Sequence, residues 1–371
     1  MAIIISKNNQ NARRIEEAKF DLEDNLQEYV INNPEIIPIY DIDSDARLFV
    51  AAREFATNSG PIDAIGFDQS GNIYVIETKL FKNADKRTVV AQALDYGASM
   101  WRHAINFDSF VDQLDKHTWK QFNTSFKDQY EKFFNIDNSA VNLSAIKDNL
   151  AEGNIKFVIL MDSLDERLKD LIIYVNQNSK FDIYAVDFEY YKHDEFEIVI
   201  PKIYGSEVKK TIPTKTTSRK QWSESEFFNV VDNDRNLVSE LQKETVYKLW
   251  NWSKSQNAQY SWGTANIYGT FSPAFPNLFN RSFMTISIDG YIRINYGHLD
   301  QYPESMILLR NTLKKYLGDR LPKVTNISDE DLIHSFPGIT AKEMSEYVDI
   351  VISALNEFIQ ISMGNYGNKY K

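Results

Sequence analysis

Asp63, Glu77 and Lys79 are the residues of this chain best spaced to do chemistry together. Asp63 lies near the start of one short apolar run, in Pro61-Ile62-Asp63, and Glu77-Thr78-Lys79 closes a second. Asn72-Ile-Tyr-Val-Ile-Glu-Thr-Lys-Leu80 is rich in β-branched and aromatic residues behind a turn signal, so it reads as a strand, with Ile62–Phe67 as its hairpin partner. A loop of three residues, Gln69 to Gly71, needs Gly71 in the left-handed conformation. In that register Asp63 falls opposite Glu77. Side chains alternate along a strand, so Glu77 and Lys79 share a face, and the three groups converge on one side of one hairpin.

Two carboxylates this close are costly unless a cation lies between them. Mg²⁺ takes about one or two protein carboxylates, completing its shell with waters and phosphate oxygens. A neighbouring lysine then meets the attacking water or the scissile phosphate as a compact point charge. The chemistry expected is metal-assisted phosphodiester hydrolysis, with the metal acidifying water and stabilising charge on phosphorus; Mn²⁺ could replace Mg²⁺. A solvated hairpin with an ordinary surface acid and an i,i+2 pair fits the same residues.

Gly60-Pro61-Ile62-Asp63 and Ile76-Glu77-Thr78-Lys79 resemble the paired motifs of the PD-(D/E)XK nuclease superfamily, and the likeness covers roughly residues 15 to 200. Gln92-Ala-Leu-Asp-Tyr96 is similar to the helix motif of its RecB-like branch, with both side chains on one helix face. The resemblance implies that Gln92 helps place the metal-bound water or the acid–lysine pair. It also implies one more acid from a preceding helix. Ile15–Asn33 is amphipathic, with Leu22, Leu26, Tyr29 and Val30 on one stripe and Pro34 at its end. Among Glu23, Asp24 and Glu28 the resemblance favours Glu23, which has the Glu-x-x-Leu arrangement with Leu26. Asn25–Pro38 also looks like the opening helix and turn of NucS-type endonucleases. The fold so implied is α/β: a restriction-endonuclease-like mixed sheet flanked by helices, followed by a smaller α+β domain. The catalytic set would be Asp63, Glu77, Lys79, Gln92 and Glu23, with Asp63, Glu77 and Glu23 on Mg²⁺. The partner would be nucleic acid, DNA before RNA, cut internally as in restriction, defence or repair. Paired cuts in duplex DNA would favour a homodimer. The alternatives are a non-catalytic nucleic-acid-binding module on the same fold, and an effector nuclease switched on by a ligand.

The rest of the composition narrows these readings. The 371 residues suffice for more than one core, with 43% hydrophobic and 13% aromatic content. The absence of cysteine excludes disulfides and thiolate zinc sites. His103, His117, His193, His298 and His334 show no metal-ligand spacing. A net charge of −11 argues against a generic, charge-driven nucleic-acid binder. Ala2-Ile3-Ile4-Ile5 is too short for a signal-peptide core, and no apolar stretch is long enough to span a membrane, so a cytoplasmic protein without membrane contact is expected.

Organisation follows from the same reading. A nuclease-like domain spans 1–204. Helices are expected over Ala84–Phe110 and Asp112–Phe134, a less regular polar stretch over Asn135–Gly153, and a buried strand over Ile155–Met161. A helix over Leu164–Asn176 and strands over Phe181–Tyr191 and Phe196–Ile203 complete this half. Residues 205–222 read as a basic linker, carrying Lys209, Lys210, Lys215, Arg219 and Lys220 against Glu207. This is either a plain tether or a strap along a phosphate backbone. The α+β domain, 223–371, opens on a capping-box pattern at Ser223–Glu226 and has an Asp289-Gly290 hairpin turn, with helices over Ser305–Leu317 and Ala341–Ile361. Its aromatics Trp250, Trp252, Tyr260, Trp262, Tyr268, Phe271, Phe275 and Phe279 form a core or a base-stacking surface for target recognition.

Overall fold

Alternating and apolar runs of the N-terminal half come together as one mixed sheet. The computed structural model describes residues 2–7, 10–20, 22–43, 46–83, 86–136, 139–179, 181–206, 222–233, 239–263 and 269–366. Most of the basic stretch, 207–221, lies outside them. The chain divides into two compact units, Met1–Phe133 with Asp137–Ser218, and Phe134–Ile136 with Arg219–Lys371.

The first unit opens with a separate hairpin, β1 (Ile3–Lys7) and β2 (Gln10–Ile15). It continues with β3 (Glu17–Ala18), α1 (Glu23–Asn32), β4 (Phe49–Thr57), β5 (Gly60–Phe67) and β6 (Ile73–Lys79). After these come α2 (Lys86–Arg102), α3 (Phe107–Phe122), α4 (Phe126–Phe134), α5 (Ala140–Glu152), β7 (Ile155–Met161), α6 (Glu166–Asn178), β8 (Asp182–His193) and β9 (Phe196–Tyr204). The sheet runs β3-β8-β7-β6-β5-β4, with β9 paired to β8. β4, β5 and β6 are antiparallel; β6, β7 and β8 are parallel, and helices make the crossovers that parallel pairing requires. Every residue of β7 is buried, as its unbroken apolar run predicts for a central strand.

The hairpin register follows from its turn. Gly71 takes φ +78°, and its N–H donates to the Asp68 carbonyl at 3.1 Å. A Cβ at Gly71 would also lie 2.8 Å from both the Ala145 Cβ and the Asn142 carbonyl oxygen, so conformation and space both demand glycine. Ala64 then pairs with Ile76, Ile65 with Val75 and Phe67 with Ile73, as expected. Asp68 is buried beneath the turn. Its Oδ1 accepts from the Ser70 and Asn72 amides at 2.9 and 3.0 Å, and its Oδ2 from Asn72 Nδ2 and the Tyr74 hydroxyl at 2.7 and 3.0 Å. Lys156 of β7, also buried, donates to the same Tyr74 hydroxyl at 3.3 Å.

Three local expectations are corrected. The helix expected from Ile15 begins only at Glu23: Ile15 ends β2, and Glu17–Ala18 pairs with Tyr191 and Tyr190 of β8. Leu22, expected on the buried stripe, is the exposed N-cap, while Leu26 and Val30 are buried. Sheet pairing with a strand far along the chain overrides the helical period there. The stretch expected to be irregular holds α5, which buries Ala145, Ile146 and Leu150. The helical expectation over Asp112–Phe134 breaks at Asn123, a left-handed C-cap with φ +56°.

The second unit is α+β, as expected. α7 (Glu224–Asn233) starts at Ser223, whose hydroxyl and amide both donate to Glu226. α8 (Glu240–Ser255) precedes the strands β10 (Gln259–Trp262), β11 (Thr270–Ala274), β12 (Met284–Ser287) and β13 (Tyr291–Ile294). α9 (Pro303–Leu317), α10 (Pro322–Thr325), β14 (Gly338–Thr340), α11 (Ala341–Met344) and α12 (Val348–Tyr366) follow. Its sheet, β10-β11-β12-β13-β14, is antiparallel throughout, and Gly290 turns the β12–β13 hairpin at φ +73°. The aromatic set resolves as core: Trp250, Trp252, Phe271, Phe275 and Phe279 are buried, with Tyr260 and Trp262 packed against them. Tyr268 lies outside the described residues.

Candidate active site

β5 and β6 part company at Asp63. Their ladder ends at Ala64–Ile76, while β5 stays paired with β4 through Ile62, Pro61 and Gly60. β6 meanwhile stays on β7, with Glu77, Thr78 and Lys79 opposite Ile159, Leu160 and Met161. The Asp63 side chain fills the resulting gap. Its Oδ2 accepts from the Thr78 amide and the Thr78 hydroxyl, both at 2.7 Å, and so replaces the main-chain partner that the ladder would have supplied. All hydrogen bonds to the Asp63 carboxylate among the described residues fall on this one oxygen.

Glu77 lies deeper, with only 2% of its surface exposed. Lys79 Nζ pairs with its Oε1 at 2.9 Å, whereas Oε2 is buried without a hydrogen-bond partner. An orphaned carboxylate oxygen in a buried site is expensive unless something else completes it. Burial first, and then the neighbouring Asp63 charge, push the Glu77 pKa up to about 7, while Lys79 pulls it down. One oxygen of each acid is therefore committed to the protein, and one of each is not. This is the arrangement that a divalent cation stabilises, since it cancels the repulsion and fills the empty acceptors. Among the described residues no ready-made group of three or more His, Asp or Glu side chains is placed to hold a metal. The pair Asp63 and Glu77 is within what Mg²⁺ asks of a protein.

The two flanking helices bring the remaining candidates. Leu26 and Val30 of α1 pack with Tyr74, Ile76 and Leu80 on one face of β6, so Glu77 and Lys79 face the other way, towards α2. Glu23, at the N-terminus of α1, reaches the end of β6: its Oε1 accepts from the Leu80 amide at 3.3 Å and its Oε2 lies 3.9 Å from Lys79 Nζ. Glu23 thus meets the lysine directly, and Arg53 anchors its neighbour Asp24 at 2.8 Å. Gln92 of α2 lies beside Tyr96, whose hydroxyl donates to the Pro61 carbonyl at 2.9 Å. Burial and the charges of Glu77 and Asp63 raise the Tyr96 pKa, which places this ring beside the two acids. Gly97 lets α2 approach this closely, because a Cβ there would come within 2.6 Å of the Phe157 ring.

Thr78 is the residue that sequence reasoning missed. In Glu77-Thr78-Lys79 it occupies the place between the two candidates, and alternation alone directs it away from them. Only the parting of β5 from β6 makes it the clamp that orients Asp63. Asp162 is a second: its carboxylate accepts from the Phe81 amide at 2.6 Å and fixes the chain as it leaves β6.

The raised Glu77 pKa gives an expected result. Without metal, between the ordinary carboxyl value of 4.5 and about 7, folded Glu77 holds a proton that the unfolded chain has lost. Stability therefore falls as pH rises through that window. Relative to Glu77→Gln, the wild type should lose about 2–3 kcal/mol between about pH 5 and about pH 8 in EDTA, measured by denaturant unfolding. A constant difference between the two proteins over that range would refute the shift.

Among the described residues, no helix is long and apolar enough to cross a membrane. No known protein family, curated protein or solved structure matches the chain.

Proposed function

We propose that the first unit is a metal-dependent nuclease of the restriction-endonuclease-like fold, hydrolysing phosphodiester bonds in DNA. The observation that carries this reading is the Asp63–Glu77 pair, with one uncommitted oxygen on each acid and Lys79 held on Glu77. Asp63 and Glu77 would hold Mg²⁺, or Mn²⁺ in its place. Such an ion, when bound, acidifies a water and stabilises the charge that develops on phosphorus.

The chain's own groups do the positioning. Thr78 fixes Asp63 through two donors, so that its other oxygen keeps one direction. Lys79 is placed by Glu77 at 2.9 Å and by Glu23 at 3.9 Å, a flexible cation tethered between two acids and mostly buried, with 21% of its side chain exposed. Its charge can meet a phosphate oxygen or orient the attacking water. Gln92 and Tyr96 close the α2 side through the Pro61 carbonyl, next to Asp63. A duplex cutter of this kind would work as a homodimer that brings one site to each strand. With a net charge of −11, binding would rest on local contacts and weaken steeply as salt rises.

The test is cleavage of end-labelled duplex, single-stranded and branched DNA, and of RNA, in Mg²⁺, Mn²⁺ or EDTA. Metal-dependent cleavage of DNA is expected, reduced about 10²–10³-fold in Lys79→Ala, as when one preorganised electrostatic contact to a developing charge is lost. Cleavage that persists in EDTA, or that Lys79→Ala leaves unchanged, would overturn the assignment. Glu23→Gln should act more mildly, about tenfold to 100-fold, because Glu23 works through Lys79.

A further inference from the structure

In the second unit a cavity of about 580 Å³ opens between α10, β14 and the α11–α12 corner, lined by Arg320, Leu321, Lys323, Ile339, Lys342, Glu346 and Tyr347 among others. Its size suits a small organic ligand. Three cations stand on its rim in a protein that is acidic as a whole. Elsewhere in this unit Lys243, Lys248, Lys254, Arg310 and Lys315 are each neutralised by an acid. Arg320 and Lys342 form no salt bridge among the described residues. The Arg320 guanidinium instead lies over the Tyr347 ring, 5.9 Å from its centre.

The rest of the lining is specific about what would fit between these charges. Leu321 and Ile339, at 6% and 2% exposure, leave a narrow apolar floor, and the half-buried Tyr347 ring offers a stacking face that it shares with Arg320. Of the two acids, Glu343 is already used: its Oε2 accepts from the Thr340 amide and hydroxyl at 2.7 and 2.9 Å and caps α11. Glu346 has no side-chain partner among the described residues, so its oxygens are open to hydroxyl donors. A ligand that satisfies all of this carries a flat ring, one or more hydroxyls and a phosphate. The geometry points to a binding site for a nucleoside phosphate, with the base on the Tyr347 ring above the Leu321–Ile339 floor, the sugar hydroxyls on Glu346, and the phosphate between Arg320 and Lys342.

Two sources share that chemistry, a free nucleotide and a nucleotide unit of a DNA or RNA strand. Calorimetric titration of the full chain separates them, carried out as Asp63→Asn so that no strand is cut. The probes are the free 5′-nucleoside mono- and triphosphates, short 5′-phosphorylated oligonucleotides and inorganic phosphate. Binding of free nucleotides in the micromolar to low-millimolar range is expected for a ligand site, and binding of oligonucleotides alone for a strand site. In either case the double variant Arg320→Glu with Lys342→Glu should weaken binding at least about tenfold. Both side chains are exposed, so thermal unfolding should not change. Tyr347→Ala should weaken the nucleotide or oligonucleotide and leave inorganic phosphate unaffected. Absence of binding to every probe, or binding that neither variant alters, overturns the site. The measurement reads binding and not cleavage, so it stands or falls separately from the metal-site assignment.

Discussion

Asp63→Asn should abolish metal-dependent cleavage, by at least about 10³-fold, while the protein keeps its fold. The amide is nearly isosteric, and its oxygen can still accept from Thr78, whose amide and hydroxyl lie 2.7 Å from the native carboxylate. What is lost is one of the two negative charges that would hold the cation. The same change relieves Glu77, whose pKa the Asp63 charge helps push up to about 7. The variant should therefore be at least as stable as the wild type in EDTA, and should lack the stabilisation that Mg²⁺ is expected to give the wild type by binding the folded state. Circular dichroism, thermal unfolding with and without Mg²⁺, and the cleavage assay together read the three effects. Wild-type cleavage by Asp63→Asn would remove this carboxylate from the mechanism, and with it the proposed site.

Asp68→Ala should be the most destabilising single change near the hairpin, at about 3–5 kcal/mol by denaturant unfolding. Asp68 accepts four hydrogen bonds within the turn and its strand, from the Ser70 and Asn72 amides, Asn72 Nδ2 and the Tyr74 hydroxyl. Burial raises its pKa, and the nearby Lys156 charge is the largest influence pulling it back. Removing the carboxylate strands buried donors and leaves buried Lys156, among the described residues, with the Tyr74 hydroxyl as its hydrogen-bond partner. Asp68→Asn should cost less, because it keeps an acceptor but loses the charge. Since the same turn sets the β5–β6 register, Asp68→Ala should also weaken cleavage even where the protein remains folded. A cost below about 1 kcal/mol would show that Lys156 finds water and that the network is not buried in solution.

The hairpin was legible because its determinants are local. Gly71 can adopt φ > 0, the residues on either side alternate, and a loop of fixed length leaves one register open. The same holds for β7, whose apolar run needs no partner to be read as buried, and for the capping box at Ser223. The start of α1 was not legible, since Glu17–Ala18 becomes a strand only because β8, far along the chain, offers an edge. β4 escaped notice for a related reason. It supplies the other side of β5, and its register shifts between Val50 and Ala52, which breaks the alternation that would have revealed it.

By itself the sequence determined a mixed α/β unit, an α+β unit after it, and the placing of Asp63, Glu77 and Lys79 at one end of one hairpin. Periodicity and turn chemistry act over a few residues, and those features need nothing more. Only the tertiary structure decided what these groups do to one another. β6 chooses β7 over β5 at Glu77, and the gap so formed turns Asp63 onto Thr78. Burial beneath α2 leaves one Glu77 oxygen without a partner and lifts its pKa. α1 brings Glu23 to Lys79, and the aromatics of the second unit go inward to its core. Desolvation and strand choice depend on residues distant in the chain, so no local pattern carries them.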